Sequence, residues 1–249
     1  MLALNLFTDS NSNTGSSTVT YGGAYHYGTD LGQSLSDANI KNIVLDTADG
    51  IKLPKSTNAV YFVLTSAEIA VHSGFCSGYC GWHNFISLDN LVYAFVGNPT
   101  KCLNGCAAQS VSPNGDAGVD GMANVIMHEL IEAITDPLLN GWYNDGDGEN
   151  GDECSWTWGP YNVSSNGAAW NMKIGERYFL IQQTLLNGKK TASCAQSYYT
   201  CPAGYYNNLK PSQGPQSCVA CPVNTYNPTP GKAESSSCLR KYHKECNLD

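Results

Sequence analysis

Met127-His128-Glu129-Leu130-Ile131-Glu132-Ala133-Ile134-Thr135-Asp136-Pro137 closes the clearest helical pattern in this chain. The pattern begins near Val119, with Asp120 placed to cap its start. It ends at Asp136-Pro137, because the residue before a proline avoids the helical region. Met122, Val125, Ile126, Leu130, Ile131 and Ile134 wrap more than half of its circumference, which predicts a helix buried inside a domain. His128, Glu129 and Glu132 then sit in largely apolar surroundings and need partners, since buried charges are paired or bound to a metal.

The spacing His-Glu-x-x-Glu says what that partner is. Residues four apart share a helical face, so His128 and Glu132 can point at one ion. Glu129 lies about 100° further round, where a metalloprotease keeps its general base beside metal-bound water. The pattern predicts a zincin-like site with Glu132 in place of a second histidine. Asp136 is eight residues from His128, roughly 12 Å along the axis, and is expected behind the ligands or at the helix end. The third ligand is expected from the following loop, 144–153, with Glu149 and Asp152 the candidates. His128 favours zinc (Zn2+), while the carboxylates make Ca2+ the alternative. The loop is not an EF-hand, because Trp156 falls where the bidentate Glu would stand if Asp145 came first. The competing reading is a buried helix whose polar groups merely satisfy loop amides and nearby Trp or Tyr groups.

Upstream, residues 35–43 read as a short helix running into a strand at Ile43-Val44-Leu45. Ala59 to Leu64 and Leu91 to Val96 are branched and aromatic, as in buried strands, with a cysteine-bearing loop between them. Residues 98–118 carry Pro and Gly at short intervals and read as a long irregular connection. Downstream of the helix, 140–170 is a Gly-, Asp- and Trp-rich loop, and Arg177 to Gln183 is a final strand. Buried strands around a ligand-bearing helix define an α+β fold: a mixed β-sheet packed on that helix, followed by a small disulfide-rich module.

Composition narrows the function. The net charge is −8 with no basic stripe, so nucleic acid is a poor partner. No apolar run reaches the roughly 18 residues needed for a transmembrane span. The apolar opening Met1 to Phe7 lacks a basic region and meets Asp9 at once, so it is not a complete signal peptide; any export signal is expected upstream. Of the eleven cysteines, six lie in the last fifty-six residues, which hold little apolar sequence. Such a segment needs cross-links, and His243 alone cannot make it a zinc module. The tail repeats internally: Cys201 to Cys218 aligns without a gap to Cys221 to Cys238, both opening Cys-Pro and closing Ser-Cys. The simplest pairing is within each unit, Cys201 with Cys218 and Cys221 with Cys238, leaving Cys246 over. Cys76, Cys80, Cys102 and Cys106, with His72 and His83 nearby, could form a zinc cluster, but disulfides suit an oxidising compartment better. Cys154 and Cys194 complete the expected disulfide set. Asn162-Val163-Ser164 is a glycosylation acceptor triplet.

Several of these stretches also resemble a known family. Tyr61 to Ser66, Gly74-Phe75-Cys76, Cys80-Gly81-Trp82-His83, Val96-Gly97-Asn98, Cys102 with Cys106, and Pro113 to Met122 resemble, in order over residues 20–190, the phosphate-induced, EXORDIUM-like proteins. That resemblance implies secretion and a cell-wall setting, with a link to growth and no established enzyme activity. Plant members lack the His-Glu-x-x-Glu stretch. Microbial relatives carry a similar one, followed by Trp142 and Glu149-x-x-Asp152-x-Cys154. The tail units resemble the cysteine-rich repeats of tumour-necrosis-factor-receptor and ephrin-receptor ectodomains, which implies a spacer or protein-binding stalk.

The domain plan is an N-terminal segment (1–19) that is flexible or ordered by assembly, an EXORDIUM-like domain (20–196) and a cysteine-rich repeat tail (197–249). Two functions are expected. One is an extracellular metal-binding protein, of metallopeptidase-like hydrolase character, in which His128 and Glu132 with Glu149 or Asp152 hold the ion and Glu129 activates water. The other is a non-enzymatic structural or adhesive subunit of a wall, sheath or filament, as homo-oligomer or with extracellular protein partners, in which any metal is structural. Cys246 and the stalk-like repeats suit the second.

Overall fold

The two branched, aromatic runs pair side by side. This computed structural model describes residues 19–28, 31–141, 148–186, 193–195, 205–207, 218–223, 225–226 and 238–240. Its order is β1 (Ser34–Leu35), α1 (Asp37–Thr47), β2 (Val60–Thr65), β3 (Ala70–Val71), β4 (Gly81–Ile86), β5 (Leu91–Gly97), α2 (Leu103–Cys106) and α3 (Ala117–Thr135). Three short pairs follow: β6 (Asn162–Val163) with β7 (Ala169–Trp170), β8 (Met172–Ile174) with β9 (Arg177–Phe179), and β10 (Thr184–Leu186) with β11 (Ser193–Ala195). The class is α+β, with a mixed central sheet and small satellite sheets.

In the central sheet β5 lies in the middle, parallel to β2 with Val60 opposite Val92, and antiparallel to β4 with His83 opposite Ala94. Every residue of β5 is buried, as expected of a strand covered on both faces. Ile40, Ile43 and Val44 of α1 cover one face, against Tyr61, Val63, Tyr93 and Phe95. Met122 and Val125 of α3 cover the other, against Val96 and Phe62. Side chains alternate along a strand, so β4 gives Trp82 to the α1 face and His83 to the α3 face.

Gly81 lets α3 approach β4 closely. A Cβ there would come within 2.6 Å of Val125 Cγ1, 2.8 Å of Glu129 Oε1 and 2.8 Å of the Phe95 carbonyl. Gly81→Ala is therefore expected to cost about 1–3 kcal/mol as the helix is pushed off the sheet. Denaturant melting checks this; an unchanged midpoint would place the helix further from the strand.

Several local expectations are corrected. Residues 43–45 are the second half of α1, not a strand. A capping box between Ser36 and Asn39 starts that helix, and Ile40, Ile43, Val44 and Thr47 share its buried face. The cysteine-bearing loop contains a full strand, β4. Residues 98–118 are not wholly irregular, since a 3-10 turn (Pro99–Lys101) and α2 occupy part of them. Asp116 caps α3, accepting from Val119 N at 3.0 Å. Asp120 instead turns inward to the Ser112 hydroxyl and to Asn114 Nδ2. The final strand stops at Phe179, because asparagine side chains take the place of a neighbouring strand beyond it: Asn171 Oδ1 accepts from Ile181 N and Asn124 Oδ1 from Gln182 N.

Eight of the cysteines form disulfides among the described residues. Cys76–Cys102 and Cys80–Cys106 each close 26 residues and tie the loop before β4 to the α2 turn. Cys154–Cys194 fastens the turn after residue 151 to β11, and Cys221–Cys238 is the bond expected within the second tail unit. Cys201, and with it the expected Cys201–Cys218 bond, Cys246, most of the tail repeats and residues 1–18 lie outside what is described. No helix among the described residues is long and apolar enough to cross a membrane.

Candidate metal centre

The stripe of α3 that meets the sheet changes character along its length. Met122 and Val125 lie over Val96 and Phe62, and one and two turns on come Glu129 and Glu132, each 3% exposed, facing His83. Ile126, Leu130 and Ile134, which the apolar pattern placed inside, are only half-buried. The two acids hold the interior position, so each must have a partner there.

His128 and Glu132 converge as their spacing predicts. His128 Nε2 is 3.1 Å from Glu132 Oε1 and 3.4 Å from Asp152 Oδ1. Of the two loop candidates it is Asp152 that reaches this histidine. Its place is held by its own backbone N–H, which donates to Glu132 Oε1 at 3.0 Å, and by the Cys154–Cys194 bond two residues on. Gly151 has no room for a side chain, since a Cβ would come within 2.7 Å of Glu132 Oε1 and 3.0 Å of His128 Nδ1. The other edge of His128 is committed: Nδ1 meets Gln182 Oε1 at 3.3 Å, and Gln182 Nε2 donates to the Gly151 carbonyl at 2.8 Å. That second bond orients the amide, so Nδ1 donates to Gln182 Oε1 and Nε2 is the nitrogen left facing the two carboxylates, where it shares a proton with them or, deprotonated, is free to bind an ion.

His83 is the residue that sequence reasoning left out of the site. Its Nδ1 is 3.7 Å from Glu129 Oε2 and 3.6 Å from Glu132 Oε2. Its Nε2 donates to the Asp136 carbonyl at 3.1 Å, filling one of the acceptors exposed at a helix C-terminus. Glu149, the other loop candidate, reaches this second histidine, 4.0 Å from Nε2. Asp136 is at the helix end, where Oδ1 accepts from Asn140 N and Gly141 N at 2.6 Å each. Three sets of potential ligands result, with their ligand atoms within 4.8 Å of one another: His128, Glu132 and Asp152; His83, Glu129 and Glu132; and His83, Asp136 and Glu149. A usable signal lay in Gly81-Trp82-His83-Asn84-Phe85-Ile86, where His83 shares strand parity with Gly81 and Phe85 and so faces the helix.

Burial and the facing charges act in opposite directions on these groups. Burial works to lower the pKa of His83, but the facing carboxylates of Glu129, Glu132 and Glu149 hold it up to about 10. Burial likewise opposes the proton on His128, yet Asp152 and Glu132 raise it to about 11. Glu129 is pushed up by burial, and Glu149 by burial and the neighbouring Glu132 charge. Glu132, against its own burial, is drawn down by the two imidazoles. Glu129 Oε2 is buried with no hydrogen-bond partner, and so is Asp136 Oδ2. A cavity of about 580 Å³ is walled by His83, His128, Glu129, Glu132 and Asp152, with Trp156 beside them. Trp156 is half-exposed at a positive φ of 58°, a backbone conformation that costs an ordinary residue energy. Asn162, the glycosylation candidate, begins β6 with its Nδ2 covered from solvent.

Fold and site together define a disulfide-bonded α+β domain with a buried histidine–carboxylate centre between a sheet and a helix. The family model described as "Phosphate-induced protein 1 conserved region" matches residues 3–197, and the chain belongs to that family. Protein EXORDIUM-like 3 of Arabidopsis thaliana is 33% identical over 184 residues, covering 61% of this chain and 54% of its own length. Protein EXORDIUM-like 5 of the same plant is 33% identical over 213 residues, covering 71% and 58%. Protein PHOSPHATE-INDUCED 1 of Nicotiana tabacum is 34% identical over 133 residues, covering 45% and 40%. The chain thus spans little more than half the length of the first two. No solved structure matches it.

Proposed function

We propose that this chain is an extracellular, disulfide-stapled protein that binds a divalent cation through His128, Glu132 and Asp152. Zinc is favoured over calcium because an imidazole leads the ligand set. On this reading the ligand helix packed against a sheet would serve as it does in a zincin-like site. The observation that carries the reading is the commitment of His128 Nδ1 to Gln182, which leaves Nε2 turned toward Glu132 Oε1 and Asp152 Oδ1. The His-Glu-x-x-Glu helix with its Asp152 loop is of the microbial type within the family. The extracellular assignment rests on the disulfides and on the tail repeats.

Such a centre has the parts of a metallopeptidase-like hydrolase. A bound zinc ion would polarise a carbonyl and lower the pKa of its water. Glu129, with one buried oxygen free of hydrogen bonds, is the group available to take that water's proton. Gln182 and the Asp136 carbonyl orient the two imidazoles, and the cavity wall bearing Trp156 offers a face for substrate. The expected result is tightly held zinc in wild-type protein, and at least a 100-fold weaker affinity at this site in His128→Ala, read by competition with a chromogenic chelator. Unchanged affinity in that variant would remove the proposal.

A further inference from the structure

The geometry points to a second cation site, formed by His83, Glu129 and Glu132, so that Glu132 bridges two ions through its two oxygens. This rests on the reading of His128, Glu132 and Asp152 as a first site. Glu132 divides its carboxylate: Oε1 lies by His128 and Oε2 by His83. A carboxylate used in this way joins the ions of a two-metal site, which lie about 3.5–4 Å apart.

Four observations support it. First, His83 Nε2 is committed to donating to the Asp136 carbonyl, which leaves Nδ1 as the nitrogen facing two carboxylates. This is the arrangement in which a metal-bound histidine is normally held. Second, the Nδ1 distances to Glu129 and Glu132, 3.7 and 3.6 Å, are too long for N–H···O bonds. They are near the separation of about 3.3–3.5 Å between two ligands of one tetrahedral zinc at about 2.0–2.1 Å. Third, Glu129 Oε2 is buried on this side without a hydrogen-bond partner. Fourth, Glu129, Glu132, Asp136, Glu149 and Asp152 put five carboxylates around two imidazoles. With all five ionised, one divalent ion leaves that centre negative by three, and a second brings it to within one charge of neutrality. Both sites border the same cavity, so both ions would face one substrate.

In this centre Glu129 is a ligand, not only a base, and experiment separates the two roles. Purified full chain is equilibrated with buffered zinc, and bound metal is counted by elemental analysis. The inference expects two ions per wild-type chain, one in His83→Gln, one in His128→Gln and one in Glu129→Gln. Far-UV circular dichroism verifies that each variant is folded. Mn2+ titration supplies a second readout, with a spin-coupled EPR spectrum appearing only as the second equivalent binds. One ion in wild type, lost in His128→Gln and kept in His83→Gln and Glu129→Gln, overturns the second site and leaves the first standing. No ion in wild type overturns both. Two ions in Glu129→Gln would return Glu129 to the role of base and overturn the ligand set of the second site.

Discussion

Glu132→Gln protein is expected to retain less than a tenth of the metal bound by wild type, the largest single-residue effect on the centre. Glu132 belongs to two of the three ligand sets, and its oxygens are divided between the two histidines. The amide keeps the shape of the side chain, and its carbonyl oxygen can still accept from Asp152 N, so the fold has little reason to fail. What disappears is the charge. A neutral amide oxygen is a weak zinc ligand, and the remaining carboxylates no longer share a common centre. At least a 100-fold loss of affinity follows, beyond the 10–100-fold typical of removing an outer partner. Elemental analysis after dialysis against nanomolar free zinc makes the measurement. Wild-type metal content in a folded Glu132→Gln protein would show that the ion, if any, is held elsewhere.

Chelation has the second large effect, and pH reveals its origin. A metal present at about a thousand times its Kd stabilises the folded state by about 4 kcal/mol. At 2–4 °C per kcal/mol for a chain of this size, stripping it should lower the melting temperature by about 8–16 °C. The metal-free protein carries protons where the ions would be. His83, with an ordinary value of 6.5, is held up to about 10, and His128 to about 11. Raised values mean that the folded state binds protons more tightly than the unfolded one. This stabilisation is complete below pH 6.5 and is lost as pH rises, through about 10 for His83 and about 11 for His128. Glu149, also raised, loses its contribution in the same direction, above the usual carboxylate range. Glu132, lowered, loses its own only as pH falls below that range. Chelated protein should therefore melt progressively earlier from pH 6.5 to pH 9. Metal binding expels these protons and strengthens as pH rises. The gap between the loaded and chelated melting curves should widen over the same interval. Parallel curves would mean that the titrating groups and the metal are independent.

A two-ion centre would also change how the family resemblance is read. The relatives' printed names, EXORDIUM-like and PHOSPHATE-INDUCED, carry no chemistry. A chain at about one-third identity can share the sheet and helix scaffold while differing in the side chains directed between them, because function lies in sites carried on folds.

Much of this was local and legible in the chain. The ligand helix was evident because its signals are short-range: a proline stop, apolar positions at helical spacing and two ligands four residues apart. The run at 91–97 was legible as a strand because a strand buried on both faces is apolar throughout, and the half-buried run at 60–65 through its branched and aromatic residues. Disulfides, too, could be expected from cysteine density in a segment without a core. The N-cap was misplaced by one turn, because Asp116 and Asp120 are equally good capping residues by type. Only the packing of Ser112 and Asn114 around Asp120 chooses between them.

The sequence by itself determined the helix, the pair His128 and Glu132 on one of its faces, and the need of buried charges for a partner. Tertiary structure alone decided which partner each charge meets. It brought His83 from a strand forty-five residues upstream into register with Ala94, beneath Glu129 and Glu132. It also assigned Asp152 to His128 and Glu149 to His83. The physical reason is range. Helical and strand periodicity are set by neighbours within a few residues, whereas the meeting of an imidazole and a carboxylate across a helix–sheet contact depends on strand register, on the space left by Gly81 and on a disulfide-held turn. No one of these is written at a fixed spacing along the chain.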